Sequence, residues 1–571
     1  MEIENKIKKL VSNVLKNLDI ENVEIDLEHP TDISNGDYST NVALAASKKV
    51  GKETPELAQE LIQEFQKEKI EEIEKIEMAG PGFINFYLSK SFLENSVKGV
   101  VAAGKKFGKN KKLAGQKVLV EYTDPNPFKQ FHIGHLMSNT IGEAISRLII
   151  FSGAETKRAN YQGDIGPHVA KAVWGMMQHE AEMPHDGDSL ARKSEFLGNA
   201  YAHGATLYES DPEIKKQIDE INIHLYKKDD EELNVLYEKG RAWSLEHFEE
   251  IYKKLGTTFD YYFFESEVFE EGTRIVKEYL GKVFHESEGA VVFRGEDHGL
   301  HTRVFLTSKG VPTYEAKEIG LHKKKAETYP FDRSVIITAN EQIGVFEVGL
   351  KAFEQIDPET AKKTDHIAHG ILRLPSGKMS SRTGDVIAGD ALLAELEERA
   401  DEKVRELSYS EVEKKDIAEK VAVAAFKYTV LKQSPGKDII FDMEKSLSFE
   451  GDSGPYLQYT LARINSLINK AKENGIEGGD IVYVDTAEEL FKTLYRFPKV
   501  VERAEQGYAP QLVTTFLIET AGAFNSFYGK QQIIDLENRE STSANLALAT
   551  AVGVVLSQGL NVLGIPVLDR M

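Results

Sequence analysis

The chain has 571 residues, no cysteine and a formal net charge of −22, from 70 Lys and Arg against 92 Asp and Glu. The missing thiols exclude disulfides, thiolate metal sites and a cysteine nucleophile. So acidic a surface excludes an indiscriminate nucleic-acid coat, whose grip comes from phosphate neutralisation, while leaving single-stranded RNA readable through aromatic stacking and local basic patches.

At roughly 100 to 200 residues per domain, three or four domains are expected. The N-terminus MEIENKIKKLVSNVLKNL reads as a charged amphipathic helix without an apolar leader, and no apolar run approaches the roughly 20 residues of a membrane helix. The expectation is a cytoplasmic protein with no membrane partner. Strand-like runs follow, VEIDL (23–27) and MAGPGFINFYLS (78–89), with polar turns such as Ser34 to Asp37 between them. Residues 1–110 therefore read as a small α+β domain, closed by a basic linker from Lys105 to Lys112.

Val118-Leu119-Val120 is short and β-branched enough to be a buried parallel strand. The loop TDPNPFKQ leads into FHIGHLMSNTIGEAISRLIIFSG, where Met137, Ile141, Ala144, Ile145 and Leu148 share a helical face and Gly153 marks a stop. Further strand patterns at Lys157 to Tyr161 and Ser334 to Thr338 predict a Rossmann-like, doubly wound parallel-sheet α/β domain over 111–390, interrupted by a helical insertion at about 182–255. From Ala391 to residue 571 helical patterns dominate, which predicts an all-α C-terminal domain.

His132-Ile133-Gly134-His135 stands where a parallel strand hands over to a helix, the edge at which open α/β sheets bind ligands. The helix N-terminus offers free N–H groups to phosphate, Gly134 lets a flat adenosine approach, and two imidazoles can donate to an α-phosphate in a five-coordinate transition state. Far along the chain, Lys378-Met379-Ser380-Ser381 lies in the loop PSGKMSSRTGD. A mobile Lys there can follow the charge that moves onto departing pyrophosphate, with the Ser380 and Ser381 hydroxyls as added donors. Taken singly, each motif fits a polar surface loop as well as a site; their order and separation on an α/β pattern favour the site.

Together these motifs resemble the paired signatures of class I aminoacyl-tRNA synthetases. The segments VEYTDPNPFKQFHIGHLMSNTIGEAISRL, NYQGDIG, VPTYEAKEIG, HIAHGILRLPSGKMSSRTGD, GPYLQYTLARINS and NVLGIPVLDRM resemble the arginyl member over nearly the whole chain. The resemblance implies an arginine-tRNA ligase that forms arginyl-adenylate from L-arginine and ATP, with Mg²⁺ on the phosphates, and then charges the 3′ end of tRNA-Arg. It implies a monomer with no tightly bound cofactor and no metal site. His132 and His135, with Lys378, Ser380 and Ser381, would be catalytic; Gly134, Gly163, Asp164, Gly370 and Ile371 would join His132, His135 and Lys378 around ATP. Glu121 and Asn126 would hold the backbone end of arginine, Glu265, Tyr314 and Glu318 its guanidinium, and Gln342 a further point, with Asp124 and His135 also lining the arginine site. Tyr38 and Asn41 would meet the tRNA elbow; Tyr456, Tyr459 and Met571 would face an anticodon base.

A guanidinium is planar, permanently charged and has five donors, which paired carboxylates satisfy best. The chain departs from its relatives in that pocket. Ala316-Lys317-Glu318 stands where Thr-Arg-Asp is usual, lengthening the carboxylate stem; Gly344 and Val345 replace a usual His; Asp124 replaces a usually small residue. A non-catalytic tRNA binder would have lost the His pair or Lys378, and another nucleotidyl transferase would not need the helical C-terminal domain. A synthetase for a neutral amino acid would leave buried carboxylates unpaired at several kcal/mol each.

Overall fold

The computed structural model describes residues 2–30, 32–375 and 388–571. Lys378, Ser380 and Ser381 lie outside the described residues.

The N-terminal module packs the helices Glu2–Asn17, Val42–Val50 and Thr54–Lys67 on a three-stranded antiparallel sheet, ordered Tyr38–Thr40, Phe83–Leu88, Ile73–Ala79. Strand-like VEIDL forms no strand; it runs extended into one isolated bridge, Glu28 to Ser39. The run MAGPGFINFYLS is split by Gly80-Pro81-Gly82 into the turn and two arms of a hairpin, because Pro cannot continue the ladder.

Five parallel strands form the central sheet in the order Thr364–His369, Arg333–Ala339, Lys117–Glu121, Glu155–Gln162, Tyr261–Phe264. The order reverses about Lys117–Glu121, so the cleft beyond that strand's carboxyl end is where a ligand is expected. The helix Ile133–Phe151 starts there. Its apolar stripe and its Ser, Asn, Thr and Glu positions are alike buried, since it runs between the sheet and the C-terminal helices. The packing is close enough that a Cβ at Gly142 would fall 2.2 Å from the ring of the fully buried Tyr122. The helices Leu190–Ser210, Pro212–Lys227 and Glu231–Leu255 make up the insertion. An antiparallel sheet of His285–Ser287, Ala290–Phe293 and Arg303–Leu306, which the sequence patterns do not announce, follows it.

From Gly389 onward the chain is helical apart from Ile439–Ile440, which pairs in parallel with Leu372–Arg373 and so stitches the two parts together. The helix Arg539–Val562 is long and apolar enough to cross a membrane, contrary to the expectation of no such run, but 72% of its apolar window is buried inside the protein. It is the core helix of the C-terminal bundle.

Candidate active site

The His pair is held in one protonation state by its own helix. His132 caps Ile133–Phe151: its Nδ1 accepts from Gly134 N–H (3.1 Å), and His135 Nδ1 accepts from the N–H of His132 (3.2 Å). The rings stack with centroids 3.6 Å apart. An Nδ1 that accepts leaves the proton on Nε2, so both rings are neutral donors. Burial, with Lys129 and His369 nearby, pushes His132 down to about 4; burial, then His132, holds His135 well below the usual range. A Cβ at Gly134 would meet His132 Cε1 and Nδ1 at 3.0 Å, so this glycine makes room for the imidazole.

The loop between strand and helix is strained. Thr123 (φ 81°), Asp124 (φ 46°) and Phe128 (φ 67°) all sit in the left-handed region, a rare conformation for a β-branched residue. Buried hydrogen bonds hold it: Thr123 N–H to Ser138 Oγ (2.9 Å), Asn139 Nδ2 to Thr123 Oγ1 (3.0 Å), Phe128 N–H to Ser244 Oγ (2.9 Å) and Tyr161 N–H to Asp124 Oδ1 (2.7 Å). The loop is thereby built before any ligand arrives.

Facing it is the helix Tyr314–Thr328. Tyr314, Glu318 and Lys325 fall at i, i+4 and i+11, on one face. Glu318 is buried, and neither of its oxygens makes a hydrogen bond of ordinary geometry. Glu121 is buried on the opposite wall with Lys325 Nζ 3.1 Å from its Oε2. Burial and Glu121 together raise the Glu318 carboxyl, against the opposing pull of Lys325 and Tyr314. Burial and Glu121 likewise hold the half-buried Asp124 well above the usual carboxylate range. The pocket thus contains Glu121, Asp124 and Glu318 against a single lysine.

Other predicted residues fall less simply. Glu265 is buried and paired with Lys317 (Nζ to Oε2, 2.6 Å). Asp164 is fully buried and its oxygens accept from Tyr237, Arg241 and Ser266, which ties the insertion to the sheet. Gly163 packs beside Asn126, and its carbonyl accepts from His168 Nε2 (2.7 Å). Gly370 presses on the Lys437 backbone, and the Ile371 N–H is spent on Asp438 (2.9 Å). Gln342 is exposed just past the end of Arg333–Ala339, on the same sheet edge as the cleft. Sequence reasoning missed Lys325, Lys317, Tyr161 and Lys129; for Lys129, its place beside the His motif was the available signal.

In the C-terminal bundle, Tyr456, Tyr459 and Met571 come together around a cavity of about 620 Å³ with Phe449, Arg463 and Asn525. Asn525 donates to Tyr456 Oη (2.8 Å) and accepts from Arg463 (2.9 Å), whose guanidinium lies 4.7 Å from the Tyr459 ring centroid. Tyr38 is different: it is 5% exposed, stacked 4.5 Å from His29 and turned towards Tyr495 and Arg496 of the bundle. It packs between modules; Asn41, half-buried, precedes the helix Val42–Val50.

Residues 96–443 match the family profile of tRNA synthetases class I (R), catalytic domain; residues 3–88 match the arginyl tRNA synthetase N terminal domain and 457–571 the DALR anticodon binding domain. The chain is 32% identical over 578 residues to an arginine--tRNA ligase of Fusobacterium nucleatum, covering 100% of this chain and 99% of that one. It is 30% identical over 567 residues to that of Treponema pallidum, at 97% and 96%. Its fold is similar to the arginyl-tRNA synthetase structure from Thermus thermophilus, with a TM-score of 0.79, 23% identity and coverage of 99% and 100%.

Proposed function

The chain belongs to the arginyl-tRNA synthetase family and is an arginine-tRNA ligase, and on that premise we propose how its own residues carry the reaction. The arginine carboxylate attacks the α-phosphorus of ATP, an O–P bond forms as the bond to pyrophosphate breaks, and the ribose hydroxyl of the tRNA's terminal adenosine then takes the arginyl group with loss of AMP. No enzyme nucleophile is needed, so catalysis is positioning and charge stabilisation. The neutral His132 and His135 give Nε2–H donors to the α-phosphate from one side, with no positive charge to lose. We assign Lys378, Ser380 and Ser381 to the departing pyrophosphate from their motif. Among the described residues no group of three His, Asp or Glu could hold a metal ion, so we place Mg²⁺ on the triphosphate as part of the substrate.

The observation that carries the assignment of arginine's place is the excess of carboxylate in the cleft beside the His pair. Glu318, buried with no cationic partner among the described residues, is costly unless a cation arrives. Tyr314 flanks it, and Asn126 lies near the backbone end. We assign the enzyme to the cytoplasm, as a monomer, on its likeness to the arginine-tRNA ligases alone. We read 1–110 as the tRNA-elbow module and 391–571 as the anticodon-binding domain. Pyrophosphate exchange and aminoacylation with each of the twenty amino acids, with and without tRNA, test the pocket: arginine alone should support both, and equal activity with lysine would remove the carboxylate pocket as the selector.

The Tyr456–Tyr459 cavity suits an unstacked base, since base–aromatic stacking is worth about 1 to 3 kcal/mol. Tyr459→Ala should weaken tRNA binding by roughly 5- to 150-fold while ATP affinity stays as it was. Unchanged tRNA affinity in a filter-binding titration would take the anticodon away from this cavity.

A further inference from the structure

We propose that Asp124, and not Glu121, is the counter-ion of arginine's α-ammonium, so that the two unmatched carboxylates of the pocket meet the substrate's two cations one for one. This deepens the pocket assignment above and rests on it.

The charge count decides the matter. Of the three carboxylates, Glu121 already faces Lys325 at 3.1 Å, both side chains being sealed from solvent at 2% and 0% exposure. Among the described residues, no cation lies within 4 Å of Asp124 or Glu318. Lys317, the other buried lysine nearby, is committed to Glu265 and to the carbonyl of Ile165. Arginine brings an ammonium and a guanidinium, and its carboxylate is turned towards ATP.

Depth assigns the partners. Glu318 is 4% exposed and stands on the helix Tyr314–Thr328 between half-buried Tyr314 and fully buried Lys325. Asp124 is half-buried in the strained loop that leads to His132, in the same loop as Asn126. A substrate whose carboxylate must reach the phosphate at the His pair holds its α-ammonium beside that loop and its guanidinium at Glu318. Asp124 Oδ1 is fixed by the Tyr161 N–H at 2.7 Å, and the chain turns through φ 46° to present it. Asn and Asp tolerate such a backbone far better than most residues, whereas the preceding Thr123 endures it only because Ser138 and Asn139 hold it. The groups facing Asp124 are Glu121 from its own strand, Glu318 and Lys325 from the opposing helix, and Tyr161 and Tyr252 from the neighbouring strand and insertion. With Glu121 held by Lys325, Asp124 supplies the unmatched charge on this side of the pocket.

The experiment deletes the charge on each side of the contact. Agmatine keeps both cations and lacks the carboxylate; 5-guanidinopentanoate keeps the guanidinium and lacks the ammonium. Both are measured as competitors of arginine in aminoacylation by the full-length enzyme. The wild type should bind agmatine at least tenfold more tightly than 5-guanidinopentanoate. Asp124→Asn retains the shape, the tolerance of positive φ and the Tyr161 contact; it should weaken arginine and agmatine tenfold or more and change 5-guanidinopentanoate by less than threefold. Glu318→Gln should weaken all three alike. 5-Guanidinopentanoate differs from arginine only by the ammonium, so its binding the wild type as tightly as arginine overturns the proposal whether or not the variant folds, and so does an Asp124→Asn variant that weakens 5-guanidinopentanoate as much as agmatine. If Glu318→Gln leaves all three ligands unchanged, the guanidinium assignment fails by itself, and the wild-type comparison still decides Asp124.

Discussion

Glu318→Gln should lower kcat/KM for arginine by roughly 30-fold to several thousand-fold, about 2 to 5 kcal/mol, with ATP affinity unchanged. The substitution keeps the shape of the side chain and removes the anion that a desolvated guanidinium needs. Glu318 has no hydrogen bond of ordinary geometry to lose, and the Tyr314 hydroxyl beside it can meet Gln as it meets Glu. The same change should therefore leave the empty protein as stable as before, or more so. Because folding raises this carboxyl above its ordinary range, the folded form holds a proton that the unfolded chain has released. Native stability consequently falls as pH climbs from the ordinary carboxylate range through the raised value, and Gln removes that fall. The variant's gain should appear at neutral to alkaline pH and vanish in acid, a pattern thermal unfolding across pH can read. Arginine binding in the wild type shows the mirror image: it requires ionised Glu318 and Asp124, both held up by burial, so the affinity should weaken as pH is lowered. Glu318→Asp restores the residue usual among relatives but withdraws the carboxylate by one methylene, so it should also be impaired. Wild-type kcat/KM in Glu318→Gln would make Glu318 a bystander.

What could be read from the sequence was local chemistry with a fixed period or a fixed motif. The His pair, the helix it caps and the i, i+4 spacing of Tyr314 and Glu318 follow from a few adjacent residues, and the structure brings them to one cleft. What could not be read was pairing across distance. Nothing local says that Lys325 meets Glu121, about two hundred residues earlier, or that Lys317 closes on Glu265; both lysines sit in a Lys- and Glu-rich run that looks like a solvated helix face. The cover of Tyr38 likewise comes from Tyr495 and Arg496 in another module. Asp164 sits in a motif segment, yet its partners Tyr237, Arg241 and Ser266 arrive from the insertion and from the helix after the next strand. The antiparallel sheet after the insertion escaped notice because its strands are only three or four residues long.

Lys325→Met should cost about 3 to 5 kcal/mol of unfolding free energy, the usual consequence of stripping one partner from a buried ion pair. Its volume is nearly kept, so the loss comes from charge and not from a cavity. Lys325 Nζ is sealed from solvent and, among the described residues, is the only cation within 4 Å of any of the three pocket carboxylates. Without it Glu121 is left buried with no counter-charge, beside the carboxyls of Asp124 and Glu318. Acid should relieve this, because protonation removes the stranded charge, so the gap between variant and wild type should narrow as pH is lowered. The pair also makes a prediction against intuition: deleting both charges should harm the fold less than deleting one. Glu121→Gln with Lys325→Met should recover most of the lost stability, since no uncompensated charge remains. In urea unfolding, a double variant as unstable as Lys325→Met alone would mean that Lys325 acts through packing. A single variant as stable as the wild type would mean that water reaches Glu121, and the charge balance of the pocket would have to be drawn again.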